Sequence, residues 1–276
     1  MRFGICCYPG VLVSEQKNEP LSALPQVMEV LQAAGADYLE FSVASVMPES
    51  DEHEFEKLKV ALAPYTLRVE AFCSFIPRHF PIVGPLVDLG AVLNYCRTAL
   101  RRCSAIGADV VVLGSAGARK IPPGFDRAKA EEQFIEFCRA LGPVANDNGI
   151  DIAIEPLNQK EDNLIVSVEH GIRMVDAIAH PRIRLLADLY HIAVEKEPLS
   201  HVASGGHRLC HTHVADKGRA APGFSQEGEE DFVGFFRQLR LAGYDGRCSF
   251  EGSFGDMKKQ ARPAMDLLRK RWIESL

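Results

Sequence analysis

The chain has 276 residues, 47% of them hydrophobic and 25% charged, with a formal net charge of −6. This is the composition of a globular protein able to bury one substantial core, and its acidic balance argues against a partner as anionic as duplex nucleic acid. No stretch approaches the roughly 20 apolar residues of a membrane span, and the opening MRFGICCYPG lacks the apolar run of a signal peptide, so a cytoplasmic location is expected.

Short apolar runs alternate with longer amphipathic segments along the whole chain. In order, the pattern predicts strand 2–8, helix 22–34, strand 37–43, helix 52–63, strand 68–75, helix 88–106, strand 109–115 and helix 127–148. It continues with strand 151–157, helix 167–179, strand 183–190, helix 196–204, strand 208–215, helix 229–242, strand 247–252 and helix 257–273. The strings AAGAD, AIGAD, DNGID and LAGYD repeat one helix-to-strand corner, with Gly35, Gly107, Gly149 and Gly243 placed as left-handed helix caps. Eight βα units in a chain of this length fit a single-domain α/β fold, the (β/α)8 or TIM barrel, spanning 1–276. The open doubly wound sheet is disfavoured, because CCYPGVLVSE after the first strand carries no GxGxxG phosphate loop. Eight cysteines without CxxC or finger-like spacing read as reduced, buried thiols.

Four apolar runs in the second half end in chemistry: IAIEPLN, LLADLYH, HTHVAD and SFEGSF. Strand alternation places Ile152, Ile154 and Pro156 outward and Glu155 inward, and Leu185, Ala187 and Leu189 outward with Asp188 inward. On the same basis Cys210, Thr212 and Val214 oppose His211 and His213, and Cys248 and Phe250 oppose Glu251. All four inward groups then lie at the C-terminal rim, where barrel enzymes keep their active sites. An unpaired charge in such a place costs several kcal/mol, roughly. A divalent ion held by Glu155, Asp188, His213 and Glu251 would compensate it, and hard oxygens with one imidazole suit Mn²⁺, Mg²⁺ or Co²⁺, with Zn²⁺ also accommodated. Three carboxylates favour a neutral polyhydroxy substrate unless a cation such as Lys217 or Arg219 compensates. Phe75, Arg78, His79 and Phe80 could form a lid or a phosphate site, or simply a packed loop. Arg119 and Lys120 could hold an anion, and Tyr8 could wall the pocket.

From IAIEPLN onward these strings resemble the xylose isomerase-like barrel superfamily of sugar isomerases and epimerases. IEPLNQKEDN is similar to its fifth-strand motif, ADLYHIAVE to its Asp-x-x-His motif, and HTHVADKGR to its His-x-His segment followed by an arginine. The resemblance implies that Glu155, Asp188, His213 and Glu251 hold the metal and that Glu155 and Glu251 move a proton through an enediolate. It implies further that His191, Arg219 and Glu161 contact substrate. The expected function is therefore a metal-dependent isomerase or epimerase of a small sugar or polyol, in a family where homodimers and homotetramers are common. A dehydratase or lyase acting on a cyclic polyol would use the same chemistry, and a non-catalytic sugar-binding barrel would keep the fold without it. The related abasic-site endonucleases need histidines at the third and fourth strands, which here read EAFCSF and VVVLGSAG, so DNA repair is not expected.

Overall fold

The computed structural model describes residues 1–8, 12 and 21–276. Most of the CCYPGVLVSE segment lies outside the described residues. In chain order the elements are β1 (Arg2–Cys7), α1 (Leu24–Ala33), β2 (Tyr38–Ser42), α2 (Glu52–Leu62), β3 (Val69–Cys73), α3 (Leu89–Ile106), β4 (Val110–Leu113), α4 (Ala116–Arg119) and α5 (Arg127–Asp147). They continue as β5 (Asp151–Ile154), α6 (Val168–Ile178), β6 (Ile183–Asp188), α7 (Leu189–Glu195), α8 (Ser200–Gly205), β7 (Leu209–Val214), α9 (Phe232–Leu241), β8 (Arg247–Phe250) and α10 (Met257–Glu274). The strands are parallel, pair in sequence order, and close where β8 meets β1.

Local chemistry accounts for most boundaries. Asp51, Asp88, Asp126, Ser167, Asp231 and Asp256 each accept the backbone N–H three residues on, opening α2, α3, α5, α6, α9 and α10. Gly35, Gly107, Gly149 and Gly243 all have positive φ, as the repeated corner requires. The sixth strand ends earlier than its apolar run suggests: Asp188 accepts from Tyr190 N at 2.7 Å and starts α7, so Leu189 is helical rather than an outward strand residue. The short α4 and α7 carry too few residues to show a helical period, which is why sequence patterning passes over them.

Side chains divide between two apolar layers, as strand alternation demands. Phe3, Ile5, Phe41, Val111, Ile152 and Leu185 belong to the layer under the helices, whereas Tyr38, Ala71, Val110, Val112, Ala153 and Leu186 cluster within the barrel. Gly4 is required by this filling, because a Cβ there would collide with the Tyr38 ring. Two register shifts modify the alternation. Leu185 pairs with Leu209 but Leu186 with His211, so Cys210 is the extra residue. Its side chain joins the inner cluster, against the outward placement that simple alternation assigns it. All eight cysteines are buried and unpaired by disulfides. Among the described residues no helix is long and apolar enough to cross a membrane.

The second shift makes Glu70 the extra residue of β3, between Val69 opposite Leu39 and Ala71 opposite Glu40. Its carboxylate accepts from Arg2 at 2.6 Å and from Arg247 at 2.9 Å, and Arg247 also reaches Asp109 at 2.7 Å. Burial opposes ionisation of Glu70, but the two guanidinium groups outweigh it and lower its pKa. Its contribution to stability is therefore present above the unfolded carboxylate pKa and lost as pH falls through the lower folded value. Glu70→Gln should reduce unfolding free energy by about 1–2 kcal/mol at pH 7. In urea titrations the gap from wild type should narrow below about pH 4.3, where the unfolded glutamate itself protonates.

Candidate active site

Four strand ends deliver the polar groups of the C-terminal rim. Glu155 follows β5, Asp188 ends β6, His213 lies on β7 and Glu251 follows β8. The structure brings all four together: one ligand atom from each lies within 4.8 Å of the others, and none of the four residues is more than 9% exposed. Room for Glu155 comes from Gly114 at the end of β4, where a Cβ would strike the Glu155 carboxylate.

His213 is the joint of this arrangement. Its Nδ1 is 3.1 Å from Glu155 Oε1 and 3.7 Å from Glu251 Oε2, while its Nε2 is 3.0 Å from Glu40 Oε1. Glu40, fully buried on β2, also accepts from His211 Nε2 at 2.7 Å and from Ser249 Oγ at 2.6 Å, and Ser249 Oγ takes the Tyr38 hydroxyl proton at 2.8 Å. Burial alone would keep Glu40 protonated, yet His213 and His211 outweigh it and hold its pKa well below the usual range. Burial likewise opposes a charged His213, but Glu40 and Glu251 raise its pKa well above the ordinary value. Sequence reading passed over Glu40. Its signal was a lone carboxylate inside the apolar run YLEFS, two positions from Tyr38 and so on the same inward face.

The remaining charges press upward on one another. Burial and then Glu251 raise the pKa of Glu155, and Asp188 is pushed up to about 6 by burial, with Glu251 adding and His213 opposing. Three carboxylates around one imidazole leave a surplus of negative charge, and a divalent cation fits it. The donors are hard oxygens plus an imidazole Nδ1 whose opposite nitrogen is already anchored on a carboxylate, the usual support for a metal-binding histidine.

Two adjoining cavities, of about 190 and 350 Å³, open onto this rim and share Tyr8, Arg219 and Glu251. The Tyr8 hydroxyl donates to Glu251 Oε1 at 2.7 Å. The backbone N–H of Asn158 donates to His191 Nδ1 at 3.0 Å. The ring Nε2 is 3.6 Å from Asp188 and faces the Arg219 guanidinium, which can only donate, at 3.0 Å, and burial lowers the His191 pKa, so the ring is neutral. Arg219 lies over the Tyr190 ring at 4.6 Å, pairs with Glu161 at 3.2 Å, and sits at φ 57. Left-handed backbone at a non-glycine residue is a cost of about 1–3 kcal/mol that active sites tend to carry.

Other sequence candidates fall elsewhere. Arg119 is fully buried, paired with Asp162 at 2.7 Å and donating to the carbonyls of Leu113 and Glu155, so it pins two strand ends and is closed to an anion. Lys120 and Lys217 donate at long range to the carbonyls of Glu161 and Glu227. Phe75 is core, Phe80 packs on Tyr95, and His79 pairs with Glu49, so that segment is a packed loop.

The fold and rim together define a (β/α)8 barrel whose C-terminal mouth carries three carboxylates and an imidazole that could hold a metal ion. The model of the xylose isomerase-like TIM barrel family matches residues 28–271, and the chain belongs to that family. Among curated relatives, the 3-dehydro-D-guloside 4-epimerase of Escherichia coli is 31% identical over 115 residues, 41% of this chain and 43% of that protein. The L-ribulose 3-epimerase of Methylomonas sp. is 31% identical over 130 residues, 47% of this chain and 44% of that protein. The chain thus spans less than half the length of these relatives. A crystal structure of D-psicose 3-epimerase with D-tagatose from Clostridium cellulolyticum superposes with a TM-score of 0.81 at 20% identity, covering 99% of both chains, a likeness of fold.

Glu40 decides which His213 nitrogen faces the rim. Glu40→Gln should weaken Mn²⁺ binding about 10- to 100-fold and reduce stability by about 3 kcal/mol or more. Electron paramagnetic resonance titration of free Mn²⁺ and urea unfolding measure the two effects separately. Wild-type Mn²⁺ affinity in the variant would remove the orienting role.

Proposed function

We propose that the protein is a divalent-metal-dependent epimerase of a small keto-sugar, working by proton transfer next to the carbonyl. The observation that carries this reading is the pair Glu155 and Glu251, two buried carboxylates meeting at His213 Nδ1 and facing one cavity beside the neutral His191 and the cationic Arg219. The epimerases among the relatives support the substrate class.

Glu155, Asp188, His213 and Glu251 would hold the ion, which supplies Lewis-acid polarisation of the substrate carbonyl. Glu155 takes the proton from the carbon beside that carbonyl, and the bonding pair moves onto the carbonyl oxygen to give an enediolate. Burial raises its basicity toward the working range. Arg219 donates to the oxygens on which charge develops, with the neutral His191 ring beside it. Glu251, as the general acid, returns a proton to the same carbon from the other face, which inverts the centre. Tyr8 keeps the Glu251 carboxyl aimed by its 2.7 Å hydrogen bond. The proton balance is closed by one carboxyl gaining what the other loses.

Glu155→Gln and Glu251→Gln should each slow deuterium incorporation from solvent at the carbon beside the carbonyl by about 10²- to 10⁴-fold. Nuclear magnetic resonance on a panel including D-psicose, D-tagatose and L-ribulose reads both exchange and product. Wild-type exchange in both variants would sink the two-glutamate reading.

A further inference from the structure

Two buried thiols border the site and take no part in the chemistry above. Cys6 on β1 and Cys73 on β3 point into the barrel, and their sulfurs and a Glu251 carboxylate oxygen lie within 4.8 Å of one another. Both side chains are almost without exposure, at 7% and 2%, yet Cys6 lines the larger cavity together with Tyr8 and Glu251. Cys6 is thus reachable from the cavity, with Cys73 buried beside it.

We propose that Cys6, Cys73 and Glu251 form a second metal site, selective for thiophilic divalent ions of the zinc and cadmium class, next to the hard-donor site and sharing Glu251 with it. Two sulfurs and one carboxylate oxygen make a three-ligand set with a fourth position open to the cavity, the donor count of an accessible zinc site. Zinc–sulfur bonds of about 2.3 Å at tetrahedral angles separate ligand atoms by about 3.8 Å, so small side-chain rotations close the observed spread. Softness separates the two sites: thiolates select zinc and its heavier relatives, while the carboxylate-rich set beside them suits manganese, magnesium or cobalt. Each thiol gives up its proton as its sulfur–metal bond forms, releasing two protons per ion.

Sharing Glu251 gives the second site a consequence. An ion bound to both sulfurs draws the Glu251 carboxylate toward β1 and β3, away from His213 and from any substrate. Thiophilic ions would then inhibit the protein while leaving the other three hard ligands in place.

Cadmium titration of the reduced protein, preloaded with one equivalent of Mn²⁺, tests the site by sulfur-to-cadmium charge-transfer absorption. The expected result is a band saturating at one added equivalent, lost in both Cys6→Ser and Cys73→Ser and retained in Cys138→Ser, whose thiol lies on α5 outside the barrel. A cadmium-edge X-ray absorption spectrum of the unmutated protein needs no variant to fold, and should contain a sulfur shell. Absence of that shell, or a band unchanged in both Cys6→Ser and Cys73→Ser, overturns the proposal. Neither readout involves turnover, so loss of the epimerase reading would leave them unaffected.

Discussion

A single carboxylate with no solvent exposure, Glu40, is the constraint from which the site is built. It accepts from His211, His213 and Ser249, and each of those bonds crosses from β2 to β7 or β8. A buried charge of this kind costs several kcal/mol, roughly, unless every oxygen is satisfied. Here both oxygens are, so the network ties three strands of the barrel at one level and orients their side chains. His213 is turned by it, and His213 in turn sets where Glu155 and Glu251 converge. One atom in the network is left over: among the described residues His211 Nδ1 has no hydrogen-bond partner, consistent with a ring whose only proton is committed to Glu40.

The barrel surrounds this centre with different solutions at its two ends. At the N-terminal end, Arg2, Glu70, Arg247 and Asp109 form charge pairs that also lie near Tyr38, whose ring both arginines approach within 6 Å, at 5.6 and 5.8 Å. Opposite charges alternate there, so the end is closed and neutralised. At the C-terminal end Glu155, Asp188 and Glu251 crowd together with His213 and Arg219 as counter-charges among the described residues. Burial first, with Glu251 adding to it, raises the pKa of Glu155 and Asp188, which suits a carboxylate that accepts a proton. Arg119, buried between β4 and β5, supports this rim by holding the carbonyls of Leu113 and Glu155 in place.

Much of the architecture was legible because its causes are local. Eight apolar runs, the repeated glycine corners and the Asp and Ser caps are written in windows of a few residues, and they suffice to count the βα units. The positions of Glu155, Asp188, His213 and Glu251 at run ends were legible for the same reason, since period-two alternation points each inward. Alternation failed where the backbone carries an extra residue: Cys210 turns into the barrel, and Glu70 reaches the ion network at the N-terminal end. Arg119 also escaped, because a cation in a glycine-rich loop reads as exposed until the loop is folded over it.

The sequence by itself determined the barrel, its strand order and the rim residues, because hydrophobic period and turn chemistry act between near neighbours. Only the tertiary structure decided that Glu40 is the partner of His213, 173 positions away, and that Cys6 and Cys73 meet beside Glu251. Those contacts join strands that barrel closure brings side by side or face to face, and no local pattern encodes the register in which they meet. It also decided how His191 is held, since the donor to its Nδ1 is the backbone N–H of Asn158 from another loop. The residues were visible in the sequence; which of their atoms face one another depended on the closed barrel.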